Sequence, residues 1–370
     1  MKMRERASAL IYAATIIVIL SAGTSARSTE TISFQGKTLT ILIAGGPGGT
    51  SDLSGRLFLP FMAKYLPGNP TIIVQDMPGA HGLISLNYFT QKAKADGTAT
   101  MVASGSEIDP INYRVPQSHY DPTTFSMVGG INLGGSQMII RNDALARLTT
   151  PGTEPVSLGS VVGYPHVGMQ IAAWGIRYLG WNAKWVTGYS NNSDLPIALE
   201  RGEIDVTSLA DESFSQLTQL LNKSKYTLLY QTGTDAGKKP SILPELVNVP
   251  LFRNAMEGKI SDPVAQQAYD YWQDLGYLFK WMALPPKTPK PVIDAYRAAF
   301  ARMVEDPVFV RQSQNITPGF TVLPVDDLTE TIRSAGEVQP ASLQFMTKML
   351  REQGMNVENI ETKEEKNATE

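Results

Sequence analysis

The sequence predicts two α/β domains. Apolar segments rich in β-branched residues alternate with amphipathic helical segments, and this alternation occurs twice, over residues 37–103 and 160–209. Several of the apolar segments end at loops rich in glycine and proline. Alternating strands and helices are typical of a largely parallel sheet, so we expect two such sheets in one chain.

Each element follows from its local pattern. In the first unit, residues 37–44, 71–74 and 98–103 are predicted strands, and 52–65 and 82–94 are predicted helices. The predictions for the rest of the chain are strands at 160–162, 183–186 and 204–209, helices at 167–179, 194–201, 264–275 and 291–303, a connecting strand at 137–141, and a return strand from Thr227.

Composition excludes several functions. The chain has 370 residues, of which 42% are hydrophobic, and its net charge is -3. This charge offers no basic field for nucleic acid or anionic lipid. Cysteine is missing, and the three histidines (His81, His119 and His166) lack metal-site spacing, so no metal or other cofactor is predicted.

The N-terminus has the pattern of a secretory signal peptide. Lys2, Arg4 and Arg6 precede an apolar segment at 7–20, which is shorter than a membrane span, and small residues follow it up to Ala26. We therefore expect residues 1–26 to be a signal peptide. At the other end, residues 361–370 are charged and lack apolar anchors, which predicts a disordered tail.

The loop GGPGGT, Gly45 to Thr50, follows the first predicted strand. It has no lysine after its last glycine, which disfavours a nucleotide-phosphate loop, and Ser51 stands where a dinucleotide loop needs its third glycine. What remains is a backbone nest at a helix N-terminus, which suits a small anion. Gly45, Gly46, Gly48, Gly49 and Thr50 are therefore candidate ligand-binding residues, and a plain strand-to-helix turn is the alternative.

Asp52 is the ambiguous member of this loop. A carboxylate in an anion site repels the ligand unless it caps the helix or meets a donor group on the ligand. We include it among the candidate residues with both interpretations open.

Two further loops add candidate polar groups. His81 lies in PGAHG, where an exposed or capping imidazole is the alternative to a catalytic base because no recognisable nucleophile accompanies it. Tyr164 and His166 precede the helix at 167–179, and Asp211 follows the strand at 204–209. These three can face a cleft, since ligands bind at the carboxyl ends of strands in α/β proteins, or they can serve local packing and capping.

Taken in order, these loops resemble the periplasmic solute receptors of tripartite tricarboxylate transporters, the Bug or TctC family. The resemblance rests on five stretches: GGPGGTSDLSGR from Gly45, PGAHG from Pro78, ADGTAT from Ala95, YSNNSDLPIALERGEIDV from Tyr189, and LPPKTPKPVIDAYRAAFARMVEDPVFV from Leu284. Together they span about residues 36 to 340.

The resemblance implies a two-lobe periplasmic-binding-protein fold of type II, the Venus flytrap, with two crossing hinge strands. Lobe 1 would comprise residues 35–136 and 246–345, and lobe 2 residues 137–245. A carboxylate would bind between the lobes, held by the loop from Gly45 to Thr50, by Ser104 and Gly105, and by Tyr164, His166 and Asp211. The implied partners are an organic acid and a membrane permease, the implied place is the periplasm of a Gram-negative cell, and the implied state is a monomer without enzymatic activity.

Two other functions remain open at the level of sequence. A secreted hydrolase would use the Gly45–Thr50 loop as an oxyanion hole, with Ser51 and a histidine as the reacting pair. A ligand sensor for a signalling kinase would share the receptor's binding chemistry.

Overall fold

The structure is a computed structural model that describes residues 32–357 apart from 133–134, 162–164, 166, 191, 211–213, 236–239, 243, 277, 279 and 317–320. The predicted signal peptide (1–26) and tail (361–370) lie outside the described residues. None of the helices in this described part is both long and apolar enough to cross a bilayer.

Strands and helices alternate along most of the chain. The strands are β1 (Thr38–Ile43), β2 (Thr71–Asp76), β3 (Ala99–Ser104), β4 (Ser126–Asn132), β5 (Ser136–Arg141), β6 (Val156–Val161), β7 (Ala183–Tyr189), β8 (Val206–Ala210), β9 (Tyr226–Gln231), β10 (Thr234–Asp235), β11 (Pro240–Ser241), β12 (Lys280–Leu284) and β13 (Thr321–Leu323). The helices are α1 (Thr50–Tyr65), α2 (Leu83–Gln91), α3 (Pro110–Tyr113), α4 (Leu145–Leu148), α5 (Gln170–Leu179), α6 (Asp194–Arg201), α7 (Phe214–Asn222), α8 (Phe252–Met256), α9 (Pro263–Gly276), α10 (Lys290–Glu305), α11 (Pro307–Ile316), α12 (Val325–Gly336) and α13 (Pro340–Glu352). Each segment predicted as a strand or helix falls on one of these elements.

The first sheet has the strand order β13-β4-β12-β3-β1-β2. β1 is parallel to β2 and β3, whereas β12 is antiparallel to its neighbours β3 and β4. The expectation of a largely parallel sheet is therefore wrong for this half. The hydrophobic pattern predicts that a strand exists but not its direction, and β12 enters the sheet from far along the chain.

β4 was not predicted from the sequence because Gly129 and Gly130 lower its β propensity. A Cβ atom at Gly129 would clash with the ring of Phe300 on α10. Glycine at this position thus lets α10 pack closely on the sheet.

The second sheet has the order β7-β6-β8-β5-β9 and is also mixed. β6 is parallel to β7 and β8, whereas β5 is antiparallel to β8 and β9. The segment predicted as a connecting strand, 137–141, is thus an interior strand of this sheet. The chain passes from the first sheet to the second between Asn132 and Ser136, and it returns between β9 and β12.

α8 packs on the second sheet, although it lies in the range assigned to lobe 1 from the sequence. Leu251 forms a parallel bridge with Gln231 of β9, and the Phe252 ring contacts Trp181 and Tyr230. These aromatic contacts explain why α8 packs on the second sheet, and the composition of the segment alone does not predict them.

α13 joins elements that belong to the two halves of the molecule. It contacts α3, which follows β3 of the first sheet, and α5, which follows β6 of the second. Just beyond α13, Gln353 donates to the carbonyl of Ala173 at 2.8 Å and accepts from the indole N–H of Trp185 at 3.2 Å. The C-terminal helix thereby ties α5 and β7 to the first half.

Candidate functional site

A cavity of about 920 Å³ lies between the two sheets. Its lining comes from the carboxyl ends of β1 and β3 on one side and of β6 and β8 on the other. Ligands of α/β proteins bind at this end of the strands, and the volume is at the upper end of the usual range for small-molecule sites. This cavity is therefore the candidate binding site.

The glycine loop forms one wall of the cavity. Gly45, Gly46, Gly48, Gly49 and Thr50, predicted as ligand-binding residues, all line it, and so does Ser51. Gly48 has φ +76°, a conformation that favours glycine. A ligand in the cavity can therefore come close to the backbone of this loop, because the loop forms part of the cavity wall.

Not every N–H group of this loop is available to a ligand. The N–H of Gly49 donates to the carbonyl of Gly46 at 3.1 Å, and the first helical bond of α1 runs from Leu53 to Gly49. The N–H groups of Thr50 and Ser51 precede that bond, where a helix has no internal acceptor for them. These two groups, at the positive end of α1, are candidate donors to an anion.

Asp52 holds the loop in shape. Its carboxylate accepts the N–H of Gly48 at 2.8 Å and pairs with Arg56 at 2.6 Å, and its side chain is 4% exposed. Burial alone would raise the pKa of Asp52, but Arg56 and the Gly48 N–H outweigh burial and hold this pKa below its ordinary value. Asp52 thus holds the loop through the Gly48 N–H, caps no N–H group of α1, and is not among the residues that line the cavity.

A second turn, Pro78 to Gly82, also lines the cavity. Ala80 and His81 have φ +46° and +52°, between glycines that also have positive φ. Non-glycine residues in this region cost about 1 kcal/mol each, so the turn is strained. A Cβ atom at Gly82 would clash with the Glu107 side chain, which explains the tight packing of this turn on the next one.

The turn after β3 contains Ser104, Gly105 and Glu107. The Glu107 carboxylate accepts the N–H of Ser104 at 2.8 Å and the hydroxyls of Ser104 and Ser106 at 2.6 and 3.1 Å. Burial raises the pKa of Glu107, opposed by the Ser104 donors and by the charge of Lys280. Ser104 and Gly105 line the cavity, and their role as ligand-binding residues stays a prediction. A Cβ atom at Gly105 would clash with the Leu278 carbonyl.

Lys280 is a cavity residue that sequence reasoning missed. It begins β12, pairs with Ser104 in the antiparallel register, lines the cavity and is 2% exposed. Buried lysines are rare and need compensation by polar or charged groups. The sequence KWMAL, in which a lysine begins an otherwise apolar strand, could have indicated a buried lysine. Its position beside Ser104 could not be predicted, because it depends on the order of the strands in the sheet.

Six serines contribute to the opposite wall of the cavity, together with apolar side chains such as Val161, Met169, Leu195 and Leu209. We call it the serine wall, and its serines are Ser136, Ser160, Ser190, Ser193, Ser208 and Ser215. Gly168 allows the turn before α5 to press on this wall, since a Cβ atom there would lie 2.7 Å from Ser136 and 2.9 Å from Ser208. The side-chain amides of Gln170, Asn192 and Gln216 add further neutral donors and acceptors.

Tyr164, His166 and Asp211 lie outside the described residues, so their roles stay predictions. Their neighbours Val161 and Ala210 line the cavity. In the described part of the chain, no cluster of histidine, aspartate and glutamate could hold a metal ion.

Comparison with known proteins identifies the fold. The structure of the periplasmic binding protein BugD matches with TM-score 0.61 and 18% identity, over 86% of this chain and 98% of that one. A TctC solute-binding protein from Polaromonas matches with TM-score 0.59 and 15% identity, over 86% and 100%. R. palustris Rpa4515, solved with adipate, matches with TM-score 0.61 and 16% identity, over 86% and 97%.

The sequence itself is matched by no protein-family model and by no curated protein. The expected resemblance to the Bug and TctC receptors is therefore confirmed by the structure rather than by sequence identity. The chain has the two-lobe α/β fold of the periplasmic solute-binding proteins.

Proposed function

We propose that this protein is a receptor that binds an organic carboxylate in the cavity between its two sheets. The observation that supports this most directly is the pairing, in one cavity, of the N-terminus of α1 with the buried Lys280. Both favour negative charge in a ligand that binds beside them.

One carboxylate would bind at the first-sheet wall. The N–H groups of Thr50 and Ser51 supply hydrogen bonds, and hydrogen bonds to an ionised acceptor are about twice as strong as neutral ones. The Lys280 ammonium supplies the compensating positive charge on the same side of the cavity. A similar fold, that of Rpa4515, was solved with adipate, which supports a carboxylate as the ligand class.

Closure of the two halves on the ligand is part of the proposal. The lobes proposed from the sequence are residues 35–136 with 246–345, and 137–245. The short passage between Asn132 and Ser136 joins their sheets, and hinge closure around a ligand requires such a connection.

We further propose that the receptor works in the periplasm as a monomer without enzymatic activity and delivers its acid to a membrane permease. The support is the signal-peptide pattern at 1–26 and the non-enzymatic binding proteins that share the fold. Osmotic-shock fractionation of cells that express the full chain tests the location, and co-purification with a candidate permease tests the delivery.

Native mass spectrometry of the freshly purified protein, followed by calorimetry against mono- and dicarboxylates, tests the binding function. We expect a co-purified acid, or an acid that binds and raises the melting temperature. Binding of a nucleotide with no response to any carboxylate would contradict the proposal. Covalent labelling of Ser51 by a fluorophosphonate would instead favour the hydrolase.

A further inference from the structure

One arginine connects two turns that line the cavity. The Nε atom of Arg56, on α1, lies 2.6 Å from the carboxylate of Asp52, and one of its terminal nitrogens lies 3.1 Å from the carboxylate of Asp76. Asp52 also accepts the N–H of Gly48 in the glycine loop. Asp76 ends β2, and the second turn begins shortly after it at Pro78. The arginine thus links the glycine loop to the strand end that carries the second turn.

Removing this arginine would leave two acids close together and largely away from water. The side chain of Asp52 is 4% exposed and that of Asp76 is 13% exposed, and the Oδ1 atom of Asp76 is buried without a hydrogen-bond partner. Burial raises the pKa of Asp76, the charge of Asp52 raises it further, and the charge of Arg56 opposes both. Like charges in a protein interior repel each other. Arg56 therefore helps both acids to remain ionised side by side.

The elements beside Asp76 carry little other charge. β1, which pairs with β2, has the sequence TLTILI, and α2 has the sequence LISLNYFTQ, so neither contains an acidic or basic residue. On α1, Asp52 and Arg56 are the charged groups that affect the pKa of Asp76 most. His81, in the second turn, is the next titratable group along the chain. A change at Arg56 therefore acts on Asp76 mainly through its balance with Asp52.

We infer that Arg56 is a positioning residue of the candidate site: by bridging Asp52 and Asp76 it fixes the glycine loop relative to the second turn, and a ligand binds against both. The described lining of the cavity includes both turns but none of these three side chains, so their effect on a ligand passes through the backbone of the turns. The strain of the second turn supports this role, because strained backbone persists only where its surroundings hold it. The coupling of the turns needs no ligand, whereas its effect on affinity rests on the proposed function.

Hydrogen exchange tests the coupling directly. Arg56→Met removes the cation, so we expect peptides that contain residues 45–50 and 78–82 to exchange at least about fivefold faster than in wild type at neutral pH. The difference from wild type should shrink as the pH falls, because Asp76 then takes up a proton and can donate it in a hydrogen bond to Asp52. Burial and the charge of Asp52 both raise the pKa of Asp76, so this change should begin above the ordinary pKa of an aspartate.

A second substitution and a matched control separate this role from a general loss of stability. Adding Asp76→Asn to Arg56→Met replaces one repelling carboxylate with an amide that can donate to Asp52, and it should restore the protection of both turns. Arg333 on α12 is 53% exposed, as Arg56 is, and it also bridges two acids, Glu330 and Glu337. It lies outside the cavity lining, so Arg333→Met should leave exchange in both turns unchanged.

The outcomes separate this inference from the function. Exchange in Arg56→Met that matches wild type, or a loss of protection that neither Asp76→Asn nor acid reverses, would overturn the inference and leave the carboxylate receptor standing. Calorimetry with adipate is the second measurement, and we expect its affinity to fall about fivefold in Arg56→Met and to recover in the double variant. Unchanged adipate affinity with both turns loosened would overturn the positioning role. If wild type binds neither adipate nor any other acid of the panel, the proposed function fails, and the exchange rates still decide whether Arg56 couples the turns.

Discussion

The carboxylate of Asp52 accepts the N–H of Gly48 at 2.8 Å, so the acid of the glycine loop binds the loop itself. The same carboxylate meets Arg56, which also reaches Asp76 at 3.1 Å. The acid therefore shapes the site without needing contact with the ligand.

Replacing Asp52 tests this role. Asp52→Ala leaves the Gly48 N–H without its acceptor, so we expect a loss of about 1 to 2 kcal/mol in the free energy of unfolding. Asp52→Asn keeps an acceptor oxygen and should lose less, because Arg56 is half exposed and its ion pair contributes little. Urea unfolding measures both values. Equal losses in the two variants would contradict the role of Asp52 as acceptor of the Gly48 N–H.

Lys280→Met should weaken carboxylate binding by about 2 kcal/mol, roughly thirtyfold, because a charge-assisted contact is lost. The variant should also be less stable, since Glu107 loses the nearby positive charge. Adding Glu107→Gln should restore stability but not affinity, and calorimetry with chemical unfolding separates these effects. Lys290→Met, at a lysine whose side chain is 81% exposed, is the matched control. Unchanged affinity in Lys280→Met would remove this lysine from the site.

Acid stability should depend on Asp306. Hydrogen bonds from Lys64 at 2.8 Å and Tyr65 at 2.6 Å hold the pKa of this aspartate well below its ordinary value. A lowered folded-state pKa gives stabilisation that is present above the unfolded-state pKa of about 3.9 and is lost as the pH falls toward the folded-state value. The melting temperatures of wild type and Asp306→Asn should therefore differ at pH 6 and converge in strong acid.

The exposed pair of Lys290 and Asp294 supplies the comparison for that experiment. Asp294→Asn should change the melting temperature little at any pH, because exposed ion pairs contribute weakly. A difference for Asp306→Asn that persists unchanged into strong acid would mean that the charge of Asp306 is not what stabilises the fold.

Gly129→Ala should destabilise the protein by about 1 to 3 kcal/mol, because its new methyl group meets the Phe300 ring across the interface of β4 and α10. Gly276→Ala is the control, since a Cβ atom there meets no neighbour. Thermal unfolding compares them. Equal melting temperatures would mean that α10 can move away from the sheet at little cost.

Local signals explain what the sequence predicted. Glycine, proline and a helical pattern lie together in residues 45–65, so the loop and α1 followed from them. The sequence could not predict which N–H groups of the loop are available to a ligand. That depends on the folded turn, in which the N–H of Gly48 donates to Asp52 and the N–H of Gly49 donates to Gly46.

Long-range features were beyond local patterns. Lys280 reaches the cavity only because β12 is inserted beside β3, and the serine wall assembles from β5, β6, β8, α7 and the segment after β7. Each of these serines alone resembles any surface serine. Tyr164, His166 and Asp211 were predicted from position in the pattern and remain to be tested.

The C-terminal helix has a mechanical consequence. Because α13 contacts α3 and α5, and Gln353 fastens α5 to it, this helix restrains the two halves from separating on its side. A rotation of one half against the other would have to keep or break these contacts, so α13 would limit how far the cavity can open. Shortening the chain before α13 should therefore favour a more open cavity.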